Sequence, residues 1–589
     1  MNANELRQRI IETVAANGGH LASSLGAVEI AMALREVFDP VHDRIVWDVG
    51  HQAYAWKLLT DRADRFGTLR RHGGLSGFPN PAESPADAAV AGHAGVAISV
   101  ALGLAAARDR RQGDEHVVAV VGDAALANGT SFEALNACSG ATRKLIVVLN
   151  DNEMAISRPT GSVARFLGRL IAGEGYNRVK SAAKRAGHAL GLSFLHGAAH
   201  AFKRRVKAFF LGNDFFEQFG LRYVGPVDGH DVAALRSAFA VARDNNGPVI
   251  VHVVTQKGRG FAPAERNPTL WHGVGPFDRD AAERSGRPPV PAARDWSAAF
   301  GAALFDAAAD DARIVALTAA MKDGTGLVDF AARFPDRFVD VGIAEGHMLA
   351  FAAGLAAGGM RPVAAVYSTF LQRATDQLMH DVCLPNLPVV ICVDRAGVVG
   401  ADGATHQGVF DLAMLRCLPN LTICQPADEP ELRTMLAEAL KRNGPTVIRY
   451  PRGRVPSAAV VPAASERRAV VLRNPEARVQ IWALGDQVPK ALSVADRIGC
   501  GVVYARSVKP FDAELLAHQR AAGRQIVSLE NGCVNGGFGE AIGADLKLGW
   551  PDAFIPHGSL SELERTYGLD EAAVCRRITD GVAKETKGD

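Results

Sequence analysis

An aspartate after one apolar run and an asparagine after the next are the residues of this chain best placed to do chemistry. The runs are Val117 to Val121 and Leu145 to Leu149, and Asp123 and Asn152 follow them. Both runs are rich in β-branched residues and do not alternate, the pattern of strands buried on both faces of a parallel sheet. Open α/β sheets bind ligands at the carboxyl ends of such strands. A carboxylate and an amide oxygen there suit magnesium, a hard cation that takes few protein ligands and bridges phosphate oxygens. Gly122-Asp123-Ala124 also suits an ordinary turn, so the rest of the chain must decide.

Histidines recur on glycine-rich breaks: Gly19-His20 between two segments of helical spacing, Gly50-His51 at the end of a short strand that begins at Ile45, and Gly92-His93 before a small-residue helix at 94–107. His272 follows Trp271 near the end of the same region. Loops carry binding residues, and histidine moves protons near neutral pH. Farther on, Glu345 stands after a strand and before an apolar helix, where it can cap that helix or, if buried, do chemistry. Tyr367 and Phe370 form an aromatic pair. Arg373, Arg395, Arg449 and Arg452 lie near the ends of successive expected strands and can converge on a phosphate through planar guanidinium forks. Asp402 and His406 sit on a polar loop, Gly400 to Gly408.

The elements that must position these residues alternate between strands and helices over 589 residues. Such alternation specifies an α/β chain with parallel sheets. Pro-, Arg- and Ala-rich linkers at 278–295 and 457–468 divide it into domains at 1–277, 296–456 and 469–589. Strands of the second domain are expected near 314–317, 338–341, 363–366, 389–393, 421–424 and 447–450, and of the third near 479–484, 501–504 and 525–529. The basic stretch at 158–210 reads as a solvated face, with a membrane-surface helix as the other possibility. A net charge of +2 makes no case for nucleic acid or membrane partners. Eight scattered cysteines without metal spacing, no apolar leader and no apolar run of spanning length point to a cytoplasmic protein.

Several longer stretches resemble one family: Gly-Gly-His-x-x-Ser at 18–23, Trp-Asp-Val-Gly-His-Gln-Ala-Tyr at 47–54, Gly-Gly-Leu-Ser-Gly-Phe-Pro at 73–79 and Asn-Asp-Asn-Glu-Met-x-Ile-Ser at 150–157. They are similar to the 1-deoxy-D-xylulose-5-phosphate synthases, thiamine-diphosphate enzymes of transketolase type. The resemblance implies two thiamine-diphosphate-binding domains, one for the diphosphate and one for the pyrimidine, and a C-terminal transketolase-type domain. It implies thiamine diphosphate with Mg2+ held by Asp123, Asn152 and Met154. Cofactor contacts would come from His51, Gly92, His93, Ala94, Asp123, Ala124, Ala125, Asn152, Phe261, Glu345 and Phe370. Glu345 would hydrogen-bond the aminopyrimidine. His20, His51, His272 and His406 would serve catalysis, while Tyr367, Arg373, Arg395, Asp402, His406 and Arg452 would bind substrate.

The implied reaction joins pyruvate to D-glyceraldehyde 3-phosphate with loss of CO2, giving 1-deoxy-D-xylulose 5-phosphate for isoprenoid, thiamine and pyridoxal precursors, in a homodimer. Ala94, Gly95, Ala124, Phe261 and Gly346 depart from the family pattern, which usually has two serines after Gly-His, a second glycine at 124, a tyrosine at 261 and a glutamine at 346. Alanine at 124 would cost about 1 kcal/mol if that position needed a positive φ. The alternatives are an acyloin synthase or transketolase with another acceptor, or a cofactor-binding homologue without catalysis.

Overall fold

β-branched runs become central strands wherever both faces are covered. In the computed structural model, residues 1–152, 214–289, 294–456, 459–462 and 468–585 are described. They form two compact units, residues 1–69 with 75–289, and residues 70–74 with 290–589.

The first unit holds a five-stranded, all-parallel sheet: β1 (Arg44–Trp47), β2 (Val117–Gly122), β3 (Ile146–Asp151), β4 (Arg222–Asp228) and β5 (Val249–Val254), in the order β1-β2-β3-β5-β4. β2, β3 and β5 are nearly continuously buried, as their unbroken apolar sequences require. β4 is an edge strand with a mixed, half-exposed pattern. Helices Ala3–Asn17, Val28–Val37 and Val232–Arg243 cover the sheet, and their apolar faces join Trp47, Trp56, Phe66 and Trp271 in one core.

The second unit holds two sheets. The larger has seven strands: β6 (Ile314–Thr318), β7 (Phe338–Asp340), β8 (Arg361–Tyr367), β9 (Val390–Asp394), β10 (Thr422–Cys424), β11 (Thr446–Arg449) and β15 (Ser507–Lys509), ordered β15-β10-β11-β9-β8-β6-β7. All its pairs are parallel except β10 with β15. The other sheet comprises β12 (Val470–Arg473), β13 (Val479–Ala483), β14 (Gly501–Tyr504), β16 (Gln525–Cys533) and β17 (Leu546–Trp550), ordered β12-β14-β13-β16-β17 with only β12 antiparallel. Thus β15, which follows β14 in the chain, crosses to the edge of the larger sheet. Among the described residues no helix is long and apolar enough to cross a membrane. The basic stretch expected at 158–210 and the expected metal ligand Met154 lie outside the described residues.

Candidate active site

Parallel pairing of β2 with β3, with Gly122 opposite Asn150, brings the two strand ends together at the centre of the first sheet. Asp123 opens the short helix Asp123–Leu126 directly from β2, and its carboxyl is buried. Burial raises its proton affinity, the charge of Asp151 adds to the effect, and the ammonium of Lys257 opposes it. The Oδ1 of Asn152 is buried and, among the described residues, accepts no hydrogen bond. A buried carboxylate after one strand and, after its parallel neighbour, an amide oxygen without a donor are groups of the kind that a divalent cation satisfies. No three His, Cys, Asp or Glu side chains among the described residues make a rival metal site. Ala124 lies in the first turn of the helix and is not among the residues of positive φ, so the backbone cost considered for alanine does not arise.

The loop carrying Gly92, His93 and Ala94 is pinned from β1. The carboxylate of Asp48, almost fully buried, accepts from the Gly95 amide at 2.9 and 3.0 Å and from the Ala97 amide at 3.0 Å, at the start of helix Ala97–Arg111. The Ser131 hydroxyl lies 3.2 Å from the Gly95 carbonyl and 2.8 Å from that of Ala125, tying this loop to the Asp123 helix. Gly95 has φ +84°, and a Cβ there would strike the side chain of Asn128. Gly92 and Ala94 are buried and His93 is half-buried.

Three expected catalytic histidines, separated by up to 252 positions, meet in the first unit. The ring centroids of His20 and His51 are 6.0 Å apart, those of His20 and His272 5.5 Å, and those of His51 and His272 5.3 Å. Phe78 packs on His20 at 5.4 Å, and the Ser23 hydroxyl lies 3.3 Å from His272 Nδ1. Burial drives His51 and His272 well below the usual imidazole range. For His51 the charges of His20 and Lys257 add to the effect, and for His272 those of Lys257, His51 and His20. Neutral imidazoles in a polar cluster can accept and return protons. Phe261, by contrast, spends its ring on the core, edge-on to Trp271 at 5.2 Å and near Phe277 at 6.2 Å.

In the second unit Glu345 begins helix Glu345–Ala357, 2% exposed. Burial raises its pKa, and Arg373 works against that shift by donating from Nη1 to Oε2 at 3.0 Å. Arg373 therefore sits on Glu345. Beside Glu345, a Cβ at Gly346 would come to 3.0 Å from Gln377 Oε1, a buried oxygen without a hydrogen-bond donor among the described residues.

A second group forms at the ends of β8 and β9. The Arg395 guanidinium lies over the Tyr367 ring at 3.7 Å, and Tyr367 stacks on Phe370 at 5.8 Å. Phe370 meets His406 edge-on at 5.6 Å, and His406 Nδ1 is 2.9 Å from the Thr405 hydroxyl. Asp402 accepts from Arg70 at 2.6 Å and from Arg452 at 3.3 Å, and its charge reaches Arg395. Three guanidiniums lie near Asp402 and the buried Asp394, whose charge also acts on Arg395, and the positive charge left over suits an anionic phosphate group. A Cβ at Gly324 would run into the Tyr367 hydroxyl, so only glycine leaves room there.

The expected convergence of four arginines needs correcting. Arg449 is fully buried and bound in bidentate fashion to Asp411, at 2.9 and 3.1 Å, with Gln425 and Asn531 accepting from Nη1. With four of its five N–H donors spent inside the protein and no exposure to solvent, this arginine is not placed to meet substrate. Arg70 and Lys257 were not foreseen as site residues. Arg70 lies in the polar run Leu69-Arg70-Arg71-His72, and its partner Asp402 is 332 positions away, so no local pattern marks it. Lys257, in Lys-Gly-Arg-Gly, is marked only by its glycines.

Comparison with known proteins finds relatives along nearly the whole chain. A family profile described as 1-deoxy-D-xylulose-5-phosphate synthase matches residues 1–255. The transketolase pyrimidine-binding domain matches 292–457 and the transketolase C-terminal domain 468–574. Proteins named 1-deoxy-D-xylulose-5-phosphate synthase include one from Oleidesulfovibrio alaskensis, 45% identical over 98% of this chain and 94% of its own. Those of Geobacter sulfurreducens and Desulforudis audaxviator are each 46% identical over 98% of this chain, and 95% and 93% of their own. Among solved structures, a transketolase from Campylobacter jejuni aligns over 98% of this chain and all of its own at 17% identity and a TM-score of 0.45.

Proposed function

The chain belongs to the 1-deoxy-D-xylulose-5-phosphate synthase family, and from that we propose that it joins pyruvate to D-glyceraldehyde 3-phosphate, releasing CO2 and forming 1-deoxy-D-xylulose 5-phosphate. Thiamine diphosphate supplies the carbanion chemistry when bound. Asp123 and Asn152 would hold its divalent cation, for which we take Mg2+, with Met154 as the third expected ligand. The loop Gly92-His93-Ala94 and the helix carrying Ala124 and Ala125 would line the diphosphate. Glu345 would hydrogen-bond the aminopyrimidine, with burial raising its proton affinity and Arg373 opposing that shift. Phe370 would pack against the cofactor, and Phe261 would support the fold behind it.

The cluster of His20, His51 and His272, in which burial favours neutral His51 and His272, suits proton movement at the donor substrate, and His406 suits the same task for the aldehyde. We assign the phosphate of glyceraldehyde 3-phosphate to Arg395 and Arg452, aided by Tyr367 and joined by Arg70. Arg373 would orient Glu345. A homodimer and a role in isoprenoid, thiamine and pyridoxal precursor synthesis complete the reading.

The observation that carries the substrate assignment is the excess positive charge around Asp402. Hydrogen bonds to charged groups contribute about 1.5–3 kcal/mol each, so phosphate recognition here should favour the phosphorylated aldehyde by about 100-fold in kcat/KM. The test supplies purified protein with thiamine diphosphate, Mg2+ and pyruvate, varies the aldehyde and identifies products by NMR. Equal use of D-glyceraldehyde and its 3-phosphate would refute the phosphate assignment. Product from neither, with cofactor bound, would refute the synthase reading.

A further inference from the structure

Asp151 lies between Asn150 and the expected metal ligand Asn152, at the end of the central strand β3. Its charge reaches Asp123. Asn150 is occupied on both sides, donating to Gln52 at 2.8 Å and accepting from Thr255 at 2.6 Å. Asp151 instead faces His252 of β5, with Oδ2 3.0 Å from Nε2, and the other ring nitrogen, Nδ1, is 2.8 Å from the hydroxyl of Tyr223 on β4. His252 is wholly buried and Asp151 is 2% exposed.

The three side chains come from three strands that are neighbours in the sheet, in the order β3, β5, β4. The direction of the first hydrogen bond follows from the groups themselves. A carboxylate can only accept, so Nε2 carries a proton and donates to Asp151, while Nδ1 and the Tyr223 hydroxyl share the second hydrogen bond. Each member fixes the next.

We propose that the chain Tyr223–His252–Asp151 is a positioning device for the metal site, holding Asp151 as an outer charge turned toward His252 while Asp123 and Asn152 remain free to ligate. The proposal rests on the metal assignment made above. Partners outside the coordination shell orient ligands and set the field at a metal, and their loss typically weakens metal binding by about 10- to 100-fold. Tyr223 and His252 touch neither cofactor nor substrate in this assignment; they act through Asp151.

The experiment measures Mn2+ affinity of the full chain with thiamine diphosphate present, from the EPR signal of free Mn2+, alongside the melting temperature of the metal-free protein. His252→Phe should weaken Mn2+ binding by about 10-fold. His252→Gln, whose amide N–H can still donate to Asp151, should recover most of it, which a purely structural role of the ring would not produce. Unchanged or tighter binding by His252→Phe, or equal loss in the Gln variant, overturns the proposal. Should His252→Phe fail to fold, Asp151→Asn decides: it keeps an acceptor for Nε2–H but removes the charge, and wild-type affinity in that variant overturns the proposal. Asp123→Ala, which removes the ligand oxygen, separates the two readings. If it leaves Mn2+ binding intact, the metal assignment itself has failed.

Discussion

Glu345 carries a conflict between stability and chemistry that a single substitution can expose. Its carboxyl is buried at a helix N-terminus, and burial outweighs the nearby Arg373 in raising its pKa. A group whose folded pKa exceeds its unfolded value adds stability that is complete below the unfolded pKa. That stability is lost as pH rises through the folded value. Glu345→Gln removes the loss, so the ligand-free variant should melt above the wild type at about pH 8, with the gap closing toward about pH 4. The same variant should lose about 100- to 10,000-fold in kcat, the usual contribution of a positioned acid or base. Melts across pH and steady-state assays check both halves. A variant melting lower at the higher pH would show that the ion pair with Arg373 outweighs burial.

At the scale of elements, the loop after His93 is decided by its backbone. Gly95 turns there with φ +84°, its amide bonds Asp48, and the space beside it is filled by Asn128, which caps helix Gly129–Ala141 by accepting from Thr130. Putting serine at 95 forces both a left-handed backbone on a residue with a Cβ and a clash with that cap. Gly95→Ser should therefore destabilise by about 2 kcal/mol, summing the backbone and cap costs. Ala94→Ser, at a buried position without positive φ, should cost less, about 1 kcal/mol at most. Denaturant melts of the two variants test the contrast, and equal stability would refute it. The same loop shows what sequence can and cannot convey. Gly92-His93 was visible as a binding loop, but nothing in Trp47-Asp48-Val49 says that the aspartate accepts three amide contacts from residues almost fifty positions on. Strands buried on both faces, such as β2, β3, β9 and β14, were legible as apolar runs. Edge strands β4, β12, β15 and β17 were not named as strands: β4 and β12 are half-exposed segments of mixed residues, β15 and β17 are short runs interrupted by polar or small residues, and all four take their conformation from the neighbour they pair with. The histidines of the first unit were legible singly; that three of them share one cluster depends on packing.

For the molecule as a whole, the consequential feature is that the second unit cannot be cut at the linker near residue 460 without breaking a sheet. β15 pairs with β10 across that boundary, Ile423 opposite Lys509, and the Lys509 ammonium donates to the carbonyls of Arg416 and Leu418. Arg506, just before β15, binds Glu431 at 2.9 Å, and Tyr504 donates to the Gln425 carbonyl at 2.9 Å. One apolar core contains Val363, Cys392 and Ile448 from the larger sheet together with Ile481, Val502 and Val527 from the other. The buried Arg449 also draws a partner, Asn531, from the far side of the linker. Elements joined by a shared core and by partners for buried charges unfold together, because releasing one exposes the other's apolar surface and orphans its polar groups. A fragment of residues 290–589 should accordingly melt in a single cooperative transition. A fragment ending at 456 should keep secondary structure but lose the sharp melt and bind a hydrophobic dye such as ANS. Calorimetry and dye binding on the two fragments decide the matter: a cooperative, dye-free melt from the shorter one would mean that the larger sheet stands without β15 and that the apparent single core is two.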